Sequence, residues 1–188
     1  MKLVKISAVI LTALLLASCA KGNSPAQKKA NARKAAANVE QQIYKEHQWS
    51  KGDFNQSYAR MTCFGNNTYL FFISTGGGVC VLKERGNTSY LRFATAGAGV
   101  GIGLKQVGYT LLFRDRATLT RFKTDKFDVS GGAEASAKYE DNGGQASATQ
   151  SADFNGIKTY QVNTMGAALQ ATIQGVNYWT TDFSSDVM

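Results

Sequence analysis

The 188-residue sequence has a single histidine, His47, and lacks the motifs on which most catalytic sites depend. His47 lies at the polar end of a predicted helix, with no cysteine cluster or acidic motif at metal-ligand spacing nearby, and we interpret it as a solvated residue. No serine stands in a G-x-S-x-G nucleophile elbow, and no paired carboxylates stand out. These absences argue against an enzyme, and we expect neither a metal nor a cofactor.

The N-terminal apolar run is too short to cross a bilayer. Residues 9–16 follow a leader with two lysines, whereas a transmembrane helix needs about 20 apolar residues. The run ends in Leu-Ala-Ser-Cys at residues 16–19, which resembles the lipobox of bacterial lipoprotein signals. We therefore expect residues 1–18 to be a signal peptide and Cys19 to be acylated, for example with palmitate. A plain secretory signal is the alternative.

The residues after the predicted cleavage site bear on localisation. Ala20 follows Cys19, at the position where many inner-membrane lipoproteins have an aspartate that resembles a retention signal. Two acyl chains hold a protein stably, since each buried methylene contributes about 0.8 kcal/mol. We expect an outer-membrane lipoprotein with residues 19–26 as a lipidated tether and a domain that faces the periplasm.

Acidic residues are few and unevenly placed. The chain has 21 Lys and Arg against 13 Asp and Glu, and loss of residues 1–18 would leave a formal charge of +6. Residues 83–126 hold nine cations and three acids, whereas residues 127–188 hold two cations and seven acids. Export makes nucleic acid an implausible partner, so we expect the basic residues to bind anionic phospholipid headgroups. A merely solvated basic face is the alternative. The candidate headgroup contacts are Lys105, Arg114, Arg116, Arg121 and Lys123.

Cysteine is scarce, and only Cys63 and Cys80 remain besides Cys19. In an oxidising compartment these two residues could form a disulfide, which would close a loop of about 18 residues and contribute about 3 kcal/mol. Alternatively, Cys80 is a buried small hydrophobe within the apolar run 78–82.

Two helices are predicted. Residues 27–49 have a helical composition, and Ala32, Ala36, Val39 and Ile43 share one face at spacings of four, three and four. That face could pack against the domain or, less favourably, lie on a membrane. Asp115 is a candidate N-cap for a short helix near residues 115–123, with Leu119 and Phe122 pointing inward.

Short β segments account for most of the remaining chain. The segments 68–74, 78–83, 89–95, 100–105 and 107–113 follow one another with connections too short for parallel crossovers, so neighbours should be antiparallel. Residues 84–88 read as a hairpin turn. Further strands are predicted at 126–139, 144–153, 157–163 and 167–180, the last broken near Gly175. We expect a mainly β (α+β) fold, a curved antiparallel sheet or barrel-like sandwich, in a single domain over residues 27–188.

Glycines alternate with small residues from Gly97 to Gly103. A nucleotide-binding loop would need a helix to follow, but a predicted strand follows instead. Alternating glycines remove the side chains from one face of a strand, which allows another backbone, a ring or a lipid chain to approach.

The order of several short pieces resembles the SYLF domain family over about residues 54–179. The pieces are the run 97–103, GYTLLF at 108–113, RATLTRF at 116–122, GGAEASA at 131–137, IKTY at 157–160, MGA at 165–167, Gly175 and Tyr178-Trp179. The sequence departs from the family pattern at two places. The family's W-x-x-P element is replaced by NTSYLR at residues 87–92, and residues 65–67 are polar. These departures leave the choice of headgroup open.

The resemblance implies phospholipid binding. Together with the signal sequence, it leads us to expect an outer-membrane lipoprotein with a non-enzymatic, phospholipid-binding domain. The alternative is an envelope scaffolding module that holds a protein partner and contacts lipid only through its acyl anchor.

Overall fold

The computed structural model describes residue 22 and residues 24–124, 151–165 and 172–184. Its elements are α1 (Pro25–Glu46), α2 (Ser50–Gln56), β1 (Ala59–Glu84), β2 (Asn87–Phe113), α3 (Arg116–Thr124), β3 (Ser151–Phe154), β4 (Ile157–Met165) and β5 (Thr172–Thr180). The predicted mainly β (α+β) class is confirmed. No helix among these residues is both long and apolar enough to span a membrane.

One antiparallel sheet contains all five strands, in the order β1-β2-β4-β3, with β5 also paired to β2. β1 and β2 pair from Ala59↔Phe113 to Glu84↔Asn87. The connecting turn at Arg85 and Gly86 has positive φ at both residues, as a two-residue hairpin turn requires, and confirms the predicted turn at 84–88. β4 pairs with the second half of β2 and β5 with its first half.

The long strand β1 folds back on itself. Cys63 and Cys80 would be about 56 Å apart on a straight strand, but their Cα atoms are 4.0 Å apart. Gly65 and Gly78 are also in contact across the fold-back, since a Cβ built on Gly65 would be 2.8 Å from the Gly78 Cα. The bend between the two halves lies near Phe71, where the pairing with β2 is interrupted by a register shift. β2 follows the fold-back, so the sheet is strongly curved.

Helix α1 covers one face of this sheet. Ser24 caps its N-terminus by accepting a hydrogen bond from the Gln27 N–H at 3.3 Å. The predicted apolar face is confirmed, since Ala32, Ala36, Val39 and Ile43 are all buried, in a cluster with Phe64, Val81, Leu112 and Tyr160. The helix packs on the sheet, as the favoured interpretation required.

A break in the predicted first helix was not foreseen. α1 ends at Glu46 and α2 begins at Ser50, whereas a single helix over 27–49 was predicted. The interpretation of His47 as solvated was wrong: the side chain is 8% exposed, and its ring packs on Trp49 and Tyr160 at centroid distances of 4.9 and 5.6 Å. The break turns the chain so that the imidazole enters the aromatic core.

A second core lies on the other face of the sheet. It contains Met61, Leu91, Phe93, Phe113 and Tyr178, and helix α3 contributes Leu119 and Phe122. The predicted N-cap is confirmed, because an Asp115 carboxylate oxygen accepts a hydrogen bond from the Thr118 N–H at 2.7 Å. α3 therefore packs at the end of β2 with its apolar residues turned inward.

Several strand predictions had the wrong boundaries. The five segments between 68 and 113 are parts of two continuous strands, and β5 passes through Gly175, which pairs with Ala96, without a break. The predicted strand 157–163 corresponds to β4. The signal sequence, Cys19, the predicted strand 126–139 and most of 144–153 lie outside the described residues.

Candidate functional site

Five large apolar side chains are exposed around the bend of β1. Leu70, Phe71, Phe72 and Ile73 occupy the bend, and Leu104 lies beside them on β2, paired with Thr68. Each of the five is between 61% and 72% exposed. We call these five residues the apolar tip. Clusters of exposed apolar side chains mark binding surfaces more often than scattered single ones do.

The bend is chemically unusual. Turns are normally built from Gly, Asn, Asp, Ser and Pro, whereas this bend is Leu-Phe-Phe-Ile. Phe71 has a φ of +55°, in the left-handed region that costs a bulky residue about 1–2 kcal/mol. Unfavourable backbone geometry together with exposed apolar surface indicates a functional role rather than a folding role.

Polar side chains fix the base of the apolar tip. Asn67 is buried, accepts a hydrogen bond from the Thr95 hydroxyl at 3.2 Å and donates one to the Tyr69 hydroxyl at 3.3 Å. Gly76 leaves room for it, because a Cβ at Gly76 would lie 1.8 Å from Asn67 Oδ1. These contacts tie both halves of β1 to β2 directly below the apolar tip.

A disulfide closes the fold-back further from the bend. Cys63 and Cys80 are bonded, and both side chains are fully buried. The bond crosslinks the two halves of β1 seven residues from Leu70 and from Ile73. Together with Asn67 it holds the apolar tip on a crosslinked base.

The glycine-rich run lies alongside the apolar tip. Gly101 pairs with Phe71 and Ala98 with Ile73. The prediction that a strand passes through this run is confirmed by β2. The close approach of another backbone, a ring or a lipid chain to this run stays a prediction.

Lys105 is separated from the other four predicted headgroup contacts. Lys105 pairs with Asn67 at the base of the apolar tip. The other four cations lie at or beyond the end of β2, nine or more residues away and so about 30 Å or more along the strand. There Arg114 contacts Asp115 at 3.4 Å, Arg121 donates to the Asn155 carbonyl at 3.0 Å and Lys123 pairs with Glu84 at 2.9 Å, while Arg116 is exposed.

A buried polar group lies between α1 and the sheet. The Glu40 carboxylate accepts hydrogen bonds from the Thr62 hydroxyl at 3.1 Å and from Lys83 at 3.1 Å, and it lies 3.4 Å from Arg60 Nε. Its three partners lie on both halves of β1. Glu40 is therefore a structural carboxylate that secures α1 across the fold-back.

An ion pair joins α2 to β4. Asp53 contacts Lys158 at 2.6 Å and accepts a hydrogen bond from Tyr160. Burial opposes ionisation of Asp53, but the hydrogen bonds from Lys158 and Tyr160 outweigh it and lower the Asp53 pKa. The hydrogen bond to Asp53 raises the pKa of Lys158.

The second core also contains a tyrosine pair. The Tyr109 and Tyr178 hydroxyls are 3.1 Å apart, and burial raises the pKa of Tyr178 to about 12. Both phenols are therefore neutral at physiological pH. Within the described ranges, His, Cys, Asp and Glu side chains form no group of three or more that could hold a metal ion.

The apolar tip was missed by sequence reasoning. Residues 68–74 were assigned to an ordinary strand, although Leu70 to Ile73 break the alternation that a strand with one solvated face requires. Four consecutive apolar residues place large side chains on both faces. That signal could have identified an exposed bend.

Comparison with known proteins gives one informative similarity. No family model matches the chain. The chain is similar to Beta cell expansion factor A of Aeromonas veronii. The two are 30% identical over 140 residues, which cover 73% of this chain and 51% of that relative. The chain thus spans about half the length of the curated relative it matches. Its resemblance to the SYLF domain family stays a prediction.

Proposed function

We propose that the chain is an outer-membrane lipoprotein, anchored through Cys19, whose domain binds phospholipid bilayers through the apolar tip without catalysing a reaction. The observation that carries the proposal is the exposure of Leu70, Phe71, Phe72 and Ile73 at one bend. The resemblance to the SYLF domain family, with its implied phospholipid binding, supports the same conclusion.

The apolar tip has enough surface to contribute useful affinity. Full burial of one Leu, Ile or Phe side chain contributes about 1.5–3 kcal/mol, so partial insertion of five contributes on the order of 5 kcal/mol. The cost of immobilising the domain reduces this value. Lys105 beside Leu104 adds about 1 kcal/mol at an anionic surface.

The proposed anchor compensates for the modest affinity of the apolar tip. Ser24, which caps α1, stands five positions after Cys19, and an extended chain of that length spans at most about 18 Å. An acylated Cys19 would hold the domain close to the bilayer, so the apolar tip would bind at a high effective lipid concentration.

Vesicle cosedimentation tests the role of the apolar tip. The mature chain with Cys19→Ser is mixed with phosphatidylcholine vesicles and with phosphatidylglycerol vesicles. We expect binding to both, stronger to the anionic ones, and at least a tenfold loss in a Phe71→Ser, Phe72→Ser double variant. Trp49→Ser removes another exposed aromatic and should bind normally. Negligible pelleting of the parent chain on both vesicle types would refute the proposal.

The anchor is tested separately. Cys19→Ser in the full chain should abolish incorporation of labelled palmitate and block cleavage after residue 18, so the variant should migrate on gels as the longer, unprocessed chain. A parent chain that incorporates no label and fractionates as soluble protein would exclude the anchor. That result would leave the test of the apolar tip unaffected.

A further inference from the structure

A depression lies at the end of the folded strand opposite the apolar tip. Its volume is about 830 Å³. It is surrounded by the C-terminal end of α2, the start and end of β1, the turn that follows β1 and the residues after β2. Arg60, which lines it, is eleven residues from Phe71, and this separation corresponds to about 36 Å along the strand. The depression is therefore a separate surface from the apolar tip.

Cations predominate among the charged residues that line the depression. Arg60, Lys83, Arg85 and Arg114 face a single lining carboxylate, that of Asp115. Glu40, behind the lining, contacts both Arg60 and Lys83 and compensates one of those two charges. The depression therefore has an excess of about two positive charges. A concave surface with one sign of charge concentrates the field and attracts oppositely charged ligands.

Two further contacts bear on the charge of the depression, those of the lining Asp115 and of Glu84, which stands between the lining residues Lys83 and Arg85 in the sequence. Asp115 caps α3, and the hydrogen bond from the Thr118 N–H lowers its pKa. Glu84 accepts hydrogen bonds from Lys123 at 2.9 Å and from Tyr58 at 3.2 Å. Asp115 also lies 3.4 Å from Arg114 and compensates part of that charge, whereas the charge of Glu84 is compensated by Lys123, which does not line the depression.

The arginines are arranged for hydrogen bonding to an anion. The Arg85 guanidinium carbon lies 4.8 Å from the centroid of the Tyr58 ring, a cation–π contact between two residues that line the depression. The Arg114 side chain is 75% exposed beside Asp115. Arg60 Nε is buried and lacks a hydrogen-bond partner among the described residues, at 3.4 Å from the Glu40 carboxylate.

We propose that this cationic depression binds a phosphate-bearing anion. Planar guanidinium groups bind phosphate oxygens in pairs, and two arginines at the rim with Arg60 and Lys83 behind them supply several donors. The phosphate comes from a soluble compound or from the headgroup of a lipid. The binding does not depend on the apolar tip.

Pyrophosphate titration by calorimetry tests the proposal with the mature chain that has Cys19→Ser. We expect saturable one-to-one binding, weakened at least tenfold by Arg85→Gln with Arg114→Gln. The matched control is Lys34→Gln with Lys45→Gln, which removes two exposed charges on α1 and should change the affinity less than twofold. Circular dichroism and urea unfolding verify that all variants are folded. Absence of saturable binding, or equal weakening in both double variants, would overturn the proposal.

The source of the phosphate is resolved by a second pair of measurements. The double variant Phe71→Ser, Phe72→Ser removes the contribution of the apolar tip. If this variant still binds phosphatidylglycerol vesicles, and if adding Arg85→Gln and Arg114→Gln abolishes that residual binding, the phosphate belongs to a lipid headgroup. Retained pyrophosphate affinity without residual vesicle binding assigns a soluble phosphate compound. Since pyrophosphate binding needs no apolar tip, failure of the membrane proposal and failure of this one give different results.

Discussion

Gly65 and Gly78 face each other across the folded strand, so close that a Cβ on Gly65 would lie 2.2 Å from the Gly77 carbonyl oxygen and 2.8 Å from the Gly78 Cα. The obstacle is backbone, which cannot move aside as a side chain can. The fold-back that presents the apolar tip therefore depends on glycine at this position.

Gly65→Ala should lower the free energy of unfolding by about 2 kcal/mol, because overpacking a close contact costs typically 1–3 kcal/mol. Gly52→Ala is the matched control. A Cβ there has no atom within 4 Å and would stabilise helix α2 by about 0.5–1 kcal/mol. Urea unfolding of the two variants measures both effects. Equal stability of the Gly65 variant and the parent would show that the halves of β1 do not pack as described.

The Cys63–Cys80 disulfide should contribute about 3 kcal/mol to stability, given the loop of some 18 residues that it closes. Alanine is the suitable replacement because both side chains are fully buried and serine would bury an unpaired hydroxyl. We expect dithiothreitol to lower the urea midpoint of the parent chain and to leave that of a Cys63→Ala, Cys80→Ala variant unchanged. A parent midpoint that does not respond to reduction would contradict the pairing.

The Asp53–Lys158 pair should make stability depend on pH at both extremes. The pKa of Asp53 is lowered from 3.8, so its contribution is complete above about pH 4 and is lost as the pH falls through the folded-state value. The pKa of Lys158 is raised from 10.5, so its contribution is complete below about pH 10 and is lost as the pH rises through its folded-state value.

The Asp53→Asn variant removes the charge of Asp53 and so measures the contribution of the Asp53–Lys158 pair to stability. At neutral pH the variant should be less stable than the parent by about 1 kcal/mol, since the two side chains are about one-third exposed and water screens them. The difference should shrink as the pH falls below 3.8. Urea unfolding of both proteins between pH 2.5 and 8 provides the measurement. A difference that stays constant down to pH 2.5 would show that the Asp53 carboxylate does not stabilise the fold.

Local sequence signals were sufficient to predict much of the fold. Asp115 predicted the start of α3 because a capping side chain acts on N–H groups only three residues away. The apolar spacing of Ala32 to Ile43 predicted the buried face of α1 for a similar reason. The turn at Arg85 and Gly86 follows from the same kind of local preference.

Features that depend on distant contacts were not predictable in this way. The fold-back of β1 relies on contacts such as Cys63 with Cys80 and Asn67 with Thr95, whose sequence separation hides them. Gly76 and Gly77 were interpreted as part of a boundary between two strands, but Gly76 and Gly78 allow the close approach of the two halves of β1. The burial of His47 follows from the break between α1 and α2, which no strong stop signal marks.

The central claim is that the apolar tip enters the bilayer, and tryptophan fluorescence with brominated lipids tests it most directly. Phe72→Trp is introduced into the mature Cys19→Ser chain with Trp49→Phe and Trp179→Phe, so that the new indole is the sole one. The comparison protein keeps only Trp49, at the connection between α1 and α2.

We predict that phosphatidylglycerol vesicles with brominated acyl chains will quench the introduced indole and shift its emission to the blue, while the emission of Trp49 stays unchanged. Vesicles without bromine should cause the blue shift alone. The contradicting result is an introduced indole whose emission and quenching are the same with and without vesicles, under conditions where the protein cosediments with them.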